Sequence, residues 1–408
     1  MERICIIGLG YVGLPMSLIL AANGAQVTGV DINKTLVDTL RGGKPTFKEN
    51  GLDELFRKAS DNKIEFSHEL IRSDFYIIAV PTPYDKISKK INPRYVIDAL
   101  KNVLKVCEKG SIIVIESTIS PGTIDRYIRP EVESYGYTIG QDIHLAHAPE
   151  RIFPGNTIHE LQNNNRTIGA DLAEIAEKVK AVYALFSRGD IVTADIRTAE
   201  MSKIVENTYR DINIAYANEL AKICRAGNLD IYEIIRIANM HPRVNIMQPG
   251  PGVGGHCVPV DPWFLVGDYP GISHLIHEAR IINDYMPEYV LNRIRDIMQE
   301  NKLTDFTRIG FYGLTYKEDV DDTRESPTLQ LFERIKLHLG PPPKAYDPML
   351  ERDVVLNQYH DFEEFLADID LIVIMVGHTH IKNNMDKIRR KKVFDTRNIC
   401  DLPDCYKL

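Results

Sequence analysis

Residues 3–13 confine the fold of this chain more tightly than any other stretch. Arg3-Ile-Cys-Ile-Ile7 is a short apolar run that reads as a buried strand, and Gly8-Leu-Gly10-Tyr11-Val12-Gly13 follows it directly. A helical pattern then runs from Leu14 to Ala22, and a second strand, Gln26–Val30, ends at Asp31. Glycines in such a turn let a pyrophosphate approach the helix N-terminus, and the acid accepts hydrogen bonds from ribose hydroxyls. The glycines alone are weak evidence, but strand, glycines, helix, strand and acid in that order are strong. Asp31 would repel a 2′-phosphate, so NAD is expected rather than NADP. Further apolar strands at Phe75–Val80 and Ile112–Ile115 alternate with helical segments. That alternation predicts a parallel, doubly wound α/β sheet.

A chain of 408 residues exceeds one typical core, so two or three domains are expected. Asp190 to Ala226 contains no glycine or proline, repeats apolar residues every three or four positions, and is bracketed by Gly189 and Gly227. It predicts one long helix, a spine between domains or subunits. A shorter helical segment, Leu229–Asn239, follows. A second strand-and-helix pattern opens at Arg308-Ile-Gly310-Phe-Tyr-Gly313 and continues through Lys344–Tyr346, Leu371–Val376 and Val393–Asp395, with Pro341-Pro342-Pro343 as a loop. The expected architecture is two doubly wound α/β domains joined by a long central helix, with boundaries at 1–192, 193–300 and 301–408.

The net charge of −8 argues against nucleic-acid or anionic-membrane partners, and no apolar run is long enough to span a bilayer. The basic cluster Arg389-Arg390-Lys391-Lys392 reads as a solvated turn. Six cysteines without metal-binding spacing predict no metal site and a reduced, cytoplasmic protein; a Cys400–Cys405 bridge is the lesser alternative. The opening strand leaves no room for a signal peptide, and none is expected.

The chemistry concentrates in Gly250-Pro-Gly-Val-Gly254-Gly-His256-Cys257-Val-Pro-Val-Asp261. A structural cysteine sits among branched apolar residues, whereas here glycines allow close approach and prolines stiffen the loop around the sulfur. This is how a thiol is presented to a substrate. A Cys257–His256 catalytic pair is disfavoured, because neighbours in an extended loop point apart; a hydrogen bond from His256 to substrate or backbone is better supported. On the long helix, Lys203 and Asn207 lie four residues apart and share a face, where they can stabilise an oxyanion or form part of a solvated surface. Glu116-Ser-Thr118 and Pro149-Glu150-Arg151 follow strands; Thr118 can orient a water and Glu150 can act as acid or base, against equally good readings as a turn and a surface acid. Tyr316-Lys317 and Arg324 after the second glycine turn suit phosphate, or else form an acidic loop with internally paired cations. Two such domains suggest two nucleotide-like ligands with the reacting cleft between them.

Together these motifs resemble the UDP-glucose/GDP-mannose dehydrogenase family over nearly the whole chain. The matching residues are the turn at 8–13, Val80-Pro81-Thr82-Pro83, Glu116-Ser-Thr118, Pro149-Glu150, Lys203 with Asn207, Gly254-Gly-His256-Cys257 with Asp261, and Asp322-Thr-Arg324-Glu-Ser326. The resemblance implies a Rossmann-type NAD domain, a long central helix used in homodimerisation, and a second Rossmann-like domain holding a nucleotide sugar. It implies oxidation of the sugar C6 alcohol to a carboxylate with two NAD. Cys257 is then the nucleophile of a thiohemiacetal and a thioester, Lys203 and Asn207 stabilise charge at C6, and Asp261 assists proton transfer. Thr118 and Glu150 hold the water network. Gly8, Gly10, Tyr11, Val12, Gly13, Asp31, Pro81, Thr82, Thr118 and Arg324 face the cofactor. Glu150, Arg151, Lys203, Asn207, Gly254, His256, Tyr316 and Lys317 face the substrate, as does His241, while Arg243 reaches the partner subunit's substrate.

Two departures narrow the sugar. Pro154 stands where UDP-glucose enzymes place a second glutamate, and Val260 stands where they place lysine. Both depart from UDP-glucose enzymes, whereas the run from His241-Pro-Arg243 through the cysteine loop to Trp263-Phe resembles enzymes of an N-acetylated hexosamine, UDP-N-acetyl-D-mannosamine first, with UDP-N-acetyl-D-glucosamine, whose enzymes share Pro259, as alternative and UDP-glucose less favoured. Two other classes compete: a two-electron hydroxyacid-type dehydrogenase, which would not need Cys257, and a non-catalytic NAD or nucleotide-sugar sensor.

Overall fold

The computed structural model describes residues 2–152, 155–338 and 340–408. The chain divides into two compact units, residues 1–206 and 207–408, with the boundary inside the helix Ile196–Ala226.

The first unit is built on one eight-stranded sheet. Its strands are β1 (Arg3–Ile7), β2 (Gln26–Val30), β3 (Glu65–Ser67), β4 (Phe75–Ile78), β5 (Ser111–Ile115), β6 (Ile143–His147), β7 (Arg166–Ala170) and β8 (Ile191–Ala194), in the order β3-β2-β1-β4-β5-β6-β7-β8. The first two strands and the helix Gly13–Ala22 match the sequence reading. The strand order reverses between β1 and β4, so the loops after their carboxyl ends flank the crevice where such sheets bind ligands. β4 stops at Ile78 rather than Val80, because Pro81 and Pro83 cannot continue a ladder. The expected all-parallel sheet is corrected at one step: β6 and β7 pair antiparallel. A strand's composition does not encode its direction, so this was not legible in the sequence.

The long helix is also shorter than expected. Ile191-Val-Thr-Ala194 forms β8 beside β7, since β-branched residues favour a pleated strand over a helix start. Asp195 then caps the helix, its carboxylate accepting from the Thr198 amide and hydroxyl at 2.9 and 2.6 Å. The 31-residue helix Ile196–Ala226 follows.

The second unit holds a six-stranded sheet with every neighbouring pair parallel: β9 (Ile309–Tyr312), β10 (Lys344–Tyr346), β11 (Gln358–Tyr359), β12 (Leu371–Ile374), β13 (Lys392–Asp395) and β14 (Cys405–Lys407), ordered β11-β10-β9-β12-β13-β14. Alternate residues feed two cores. Ile309, Phe311, Leu371 and Val373 pack with Met286, Val290 and Ile294 on one face, and Tyr312, Ile372 and Ile374 with Phe362 and Ile381 on the other. Before this sheet come the helices Ile231–Ala238, Asp261–Asp268 and His274–Glu300. Among the described residues no helix is long and apolar enough to cross a membrane.

Candidate functional site

At the first glycine turn each glycine has its own reason. Gly8 has φ +93°, and a Cβ there would lie 2.6 Å from the Ala79 carbonyl oxygen. A Cβ on Gly13 would lie 1.8 Å from the Gly8 carbonyl oxygen. Gly10 is exposed and a Cβ there meets nothing within 4 Å, so the crest of the turn is open for a phosphate. Asp31, at the end of β2, accepts from the Leu9 amide at 2.9 Å and the Asn33 amide at 2.8 Å. Its carboxylate is thereby fixed beside the turn, as a ribose-binding acid must be. These residues fit NAD. Tyr11 packs on Phe47 with ring centroids 4.4 Å apart. Ile32, which the sequence reading passed over, exposes 86% of its surface next to Asp31 and offers an apolar platform there.

The loops after β4 and β5 are tied together. The Thr82 hydroxyl donates to the Thr118 carbonyl at 2.7 Å, and the Ser117 hydroxyl to the Val80 carbonyl at 2.7 Å. The next turn is held by Glu200 on the long helix, whose carboxylate accepts from the Gly122 and Ile124 amides. Burial pushes the Glu200 carboxyl up to about 7 despite those amides. Glu150 is buried; one oxygen accepts from the Arg151 amide at 2.6 Å and the other pairs with Arg166. Arg151 is engaged within its own unit, by the Asn165 carbonyl, Thr167 and Glu206. Pro154 lies outside the described residues.

Lys203 and Asn207 are both buried and one helical turn apart on the same helix. In the second unit the Asn207 amide donates to the Asp261 carboxylate at 2.5 Å, and its carbonyl accepts from Arg210. Asp261 is itself fixed to the cysteine loop: its backbone N–H donates to the Cys257 carbonyl at 2.8 Å, where the loop turns into the helix Asp261–Asp268. The Asp261 carboxylate is thus tied to the helix amide, and its backbone to the cysteine loop. Sequence spacing paired Asn207 only with Lys203; its contact with Asp261, 54 residues along the chain, is added by the fold.

The cysteine loop is anchored at both ends. The Gly250 amide donates to Asn218, which donates to Asn283, and Asn283 in turn donates to Asp211, the partner of the buried Arg280. Gly255 has φ +89° and its amide donates to the Arg324 carbonyl at 2.9 Å. A Cβ on Gly254 would lie 2.6 Å from the Tyr316 Cβ and 2.7 Å from the Glu325 carbonyl oxygen. This brings Gly254, Tyr316 and Arg324 together. The Arg324 side chain grips Asp322. His256 projects outward, and partial burial followed by the nearby Arg324 charge lowers its basicity.

The second glycine turn differs from the first. Asp347, after β10, accepts from the Leu314 and Thr315 amides at 2.6 and 3.0 Å. The turn's N–H groups are therefore satisfied by the protein itself. His241 and Arg243 stand exposed on the loop after Ile231–Ala238. One residue missed from sequence is Arg397. It lines a cavity of about 580 Å³ with Tyr232, Arg236 and Gln248, and a Cβ on Gly250 would lie 2.8 Å from its guanidinium. Its signal was its place just beyond the carboxyl end of β13, where α/β sheets bind ligands.

Comparison with known proteins identifies the family. Residues 2–187 match the NAD binding domain of the UDP-glucose/GDP-mannose dehydrogenase family, 197–285 its central domain, and 310–402 its UDP binding domain. A UDP-N-acetyl-D-mannosamine dehydrogenase of Methanococcus maripaludis is 40% identical over 412 residues, covering 98% of this chain and 93% of the relative. An NDP-N-acetyl-D-galactosaminuronic acid dehydrogenase of Ralstonia nicotianae is 38% identical over 98% of this chain and 96% of its own length. The solved UDP-N-acetyl-mannosamine dehydrogenase of Staphylococcus aureus superposes with a TM-score of 0.89 at 41% identity, covering 100% of this chain and 98% of that one. The chain belongs to the UDP-glucose/GDP-mannose dehydrogenase family and is an NAD-dependent nucleotide-sugar dehydrogenase.

Proposed function

We propose that this enzyme oxidises C6 of UDP-N-acetyl-D-mannosamine to the uronic acid, consuming one water and two NAD and releasing two NADH. The observation that carries the chemistry is the doubly tethered Asp261, bonded to Asn207 and to the Cys257 backbone. The sugar rests on the relatives just named and on Val260 and Pro154.

NAD held by Gly8, Gly10, Gly13 and Asp31 would accept one hydride in each of two oxidations. Lys203 and Asn207 hold the C6 oxygen and stabilise its developing charge. The Cys257 sulfur adds to the aldehyde carbon, and the oxygen gains a proton to give a thiohemiacetal. After the second oxidation that carbon is a thioester. Water then attacks it, the C–S bond breaks, and the thiolate leaves; Asp261 assists the water's proton transfer while Thr118 and Glu150 order the water. Retention on Cys257 explains why no free aldehyde need escape. Lys317 and Arg397 supply cations for the UDP-sugar, and Arg324 serves the cofactor.

With NAD present, kcat/KM for UDP-N-acetyl-D-mannosamine should exceed that for UDP-N-acetyl-D-glucosamine, UDP-N-acetyl-D-galactosamine and UDP-glucose by roughly tenfold or more, the scale of one well-placed polar contact. The galactosaminuronic relative makes the second acetamido sugar a real competitor. Preference for UDP-glucose would sink the substrate assignment.

We also infer a homodimer through the central helix, in the cytoplasm, where the six free thiols stay reduced. Val205, Tyr209, Tyr216 and Ile223 expose 45%, 59%, 50% and 58% of their surface at intervals of four, seven and seven residues, which places them on one helical stripe. In that dimer Arg243 reaches the partner's substrate. Tyr209→Glu/Tyr216→Glu should sediment as a monomer and lose activity; an unchanged dimer would refute this interface.

A further inference from the structure

Behind Glu150 lies a buried ionic cluster that the catalytic scheme leaves unused. Arg166, on β7, is buried and points one guanidinium nitrogen at Glu150. A second nitrogen lies 3.5 Å from Oε1 of Glu116, a distance at which the pair attracts without a hydrogen bond. The other oxygen of Glu116 accepts from the Tyr183 hydroxyl. The guanidinium plane is clamped over the Tyr183 and Phe186 rings, 4.9 and 5.1 Å from their centroids. Two carboxyl groups therefore flank one buried cation.

We propose that Arg166 is the positioning residue that fixes Glu150, and that Glu116 and Tyr183 fix Arg166 in turn; this rests on the reading of Glu150 as part of the water network.

The charges explain why the cluster is built from three groups rather than two. An isolated buried net charge is costly, so a neutral cluster needs one of the two carboxyls to keep its proton. Glu150 takes the hydrogen-bonded side of Arg166, leaving Glu116 as the protonated member. Burial, followed by the opposing effects of the Arg166 and Glu150 charges, pushes Glu116 up to about 8. Its Oε1 has no hydrogen-bond partner among the described residues. The Tyr183 phenol bonded to it stays neutral, held far above its ordinary range chiefly by burial, and His147 on the neighbouring strand β6, bonded to the Ile115 carbonyl, is pushed down to about 4 for the same reason. Above pH 8, Glu116 ionises, Arg166 is divided between two anions, and its hold on Glu150 loosens. Activity should fall there.

The test is a double-mutant cycle in the intact enzyme. Arg166→Met should lower kcat by roughly 30-fold with both KM values within about threefold, and Glu150→Gln should do the same. The pair together should lose no more than the worse single variant, because both changes remove one function. Glu116→Gln should flatten the alkaline limb, raising the ratio of kcat at pH 9 to kcat at pH 7 at least about threefold above wild type. If Arg166→Met does not fold, Arg166→Lys carries the same cycle, keeping the charge without the planar fork. Additive losses, or an alkaline limb unchanged in Glu116→Gln, overturn the proposal. A fully active Glu150→Gln overturns the role of Glu150 and the positioning role with it. A wild-type enzyme that oxidises no UDP-acetamido-hexose refutes the substrate reading instead, before any variant is compared.

Discussion

Cys257→Ala should bind NAD and the UDP-sugar with Kd values within about threefold of wild type, yet form acid at least about 10⁴-fold more slowly, the scale expected when a covalent nucleophile is removed. The separation of binding from chemistry follows from the loop. What shapes it is main chain: the Cys257 carbonyl receives the Val260 and Asp261 amides, Gly255 donates to Arg324, and Gly250 donates to Asn218. None of these bonds uses the thiol, so alanine keeps all of them. Isothermal titration and product analysis read the two effects independently. Stoichiometric acid from the variant would remove Cys257 from the mechanism.

Gly13→Ala should cost at least about 3 kcal/mol of stability, at the upper end for an overpacked site, and weaken NAD binding by at least about 100-fold. The added Cβ would sit 1.8 Å from the Gly8 carbonyl oxygen and 3.0 Å from its carbon, both backbone atoms that cannot rotate away. The helix start must therefore move off the turn. Gly10→Ala is the control, because its Cβ meets nothing within 4 Å. It should change stability by less than about 0.5 kcal/mol and still impair NAD, since the open crest is where a phosphate approaches. Calorimetry and NAD titration distinguish the two. A Gly13→Ala protein as stable as wild type would contradict the close approach.

The parts of the fold legible in sequence are those written locally. β1, the glycine turn, its helix and β2 follow from apolar runs punctuated by glycine, and β10 was bounded correctly for the same reason. β8 was lost inside the predicted helix because the absence of glycine and proline permits a helix without requiring one; Ile191-Val-Thr carried the better signal. The antiparallel step at β7 depends on partners far along the chain. The site divides the same way. Helical spacing placed Lys203 and Asn207 on one face and an unusual loop singled out Cys257 with Asp261, while the roles proposed for them came only with the company of the other motifs. The Arg166–Glu116–Tyr183 cluster joins residues from three separate elements and has no local spacing to betray it. Arg397 was hidden likewise, since its meaning depends on its closeness to Gly250.

In the proposed mechanism one thiol converts an alcohol oxidation of two electrons into one of four. Counting NADH formed per UDP-N-acetyl-D-mannosamine consumed, with the product identified by mass spectrometry, tests it most directly. Two NADH and a uronic acid are expected for each sugar. One NADH, with the aldehyde as product, would contradict it.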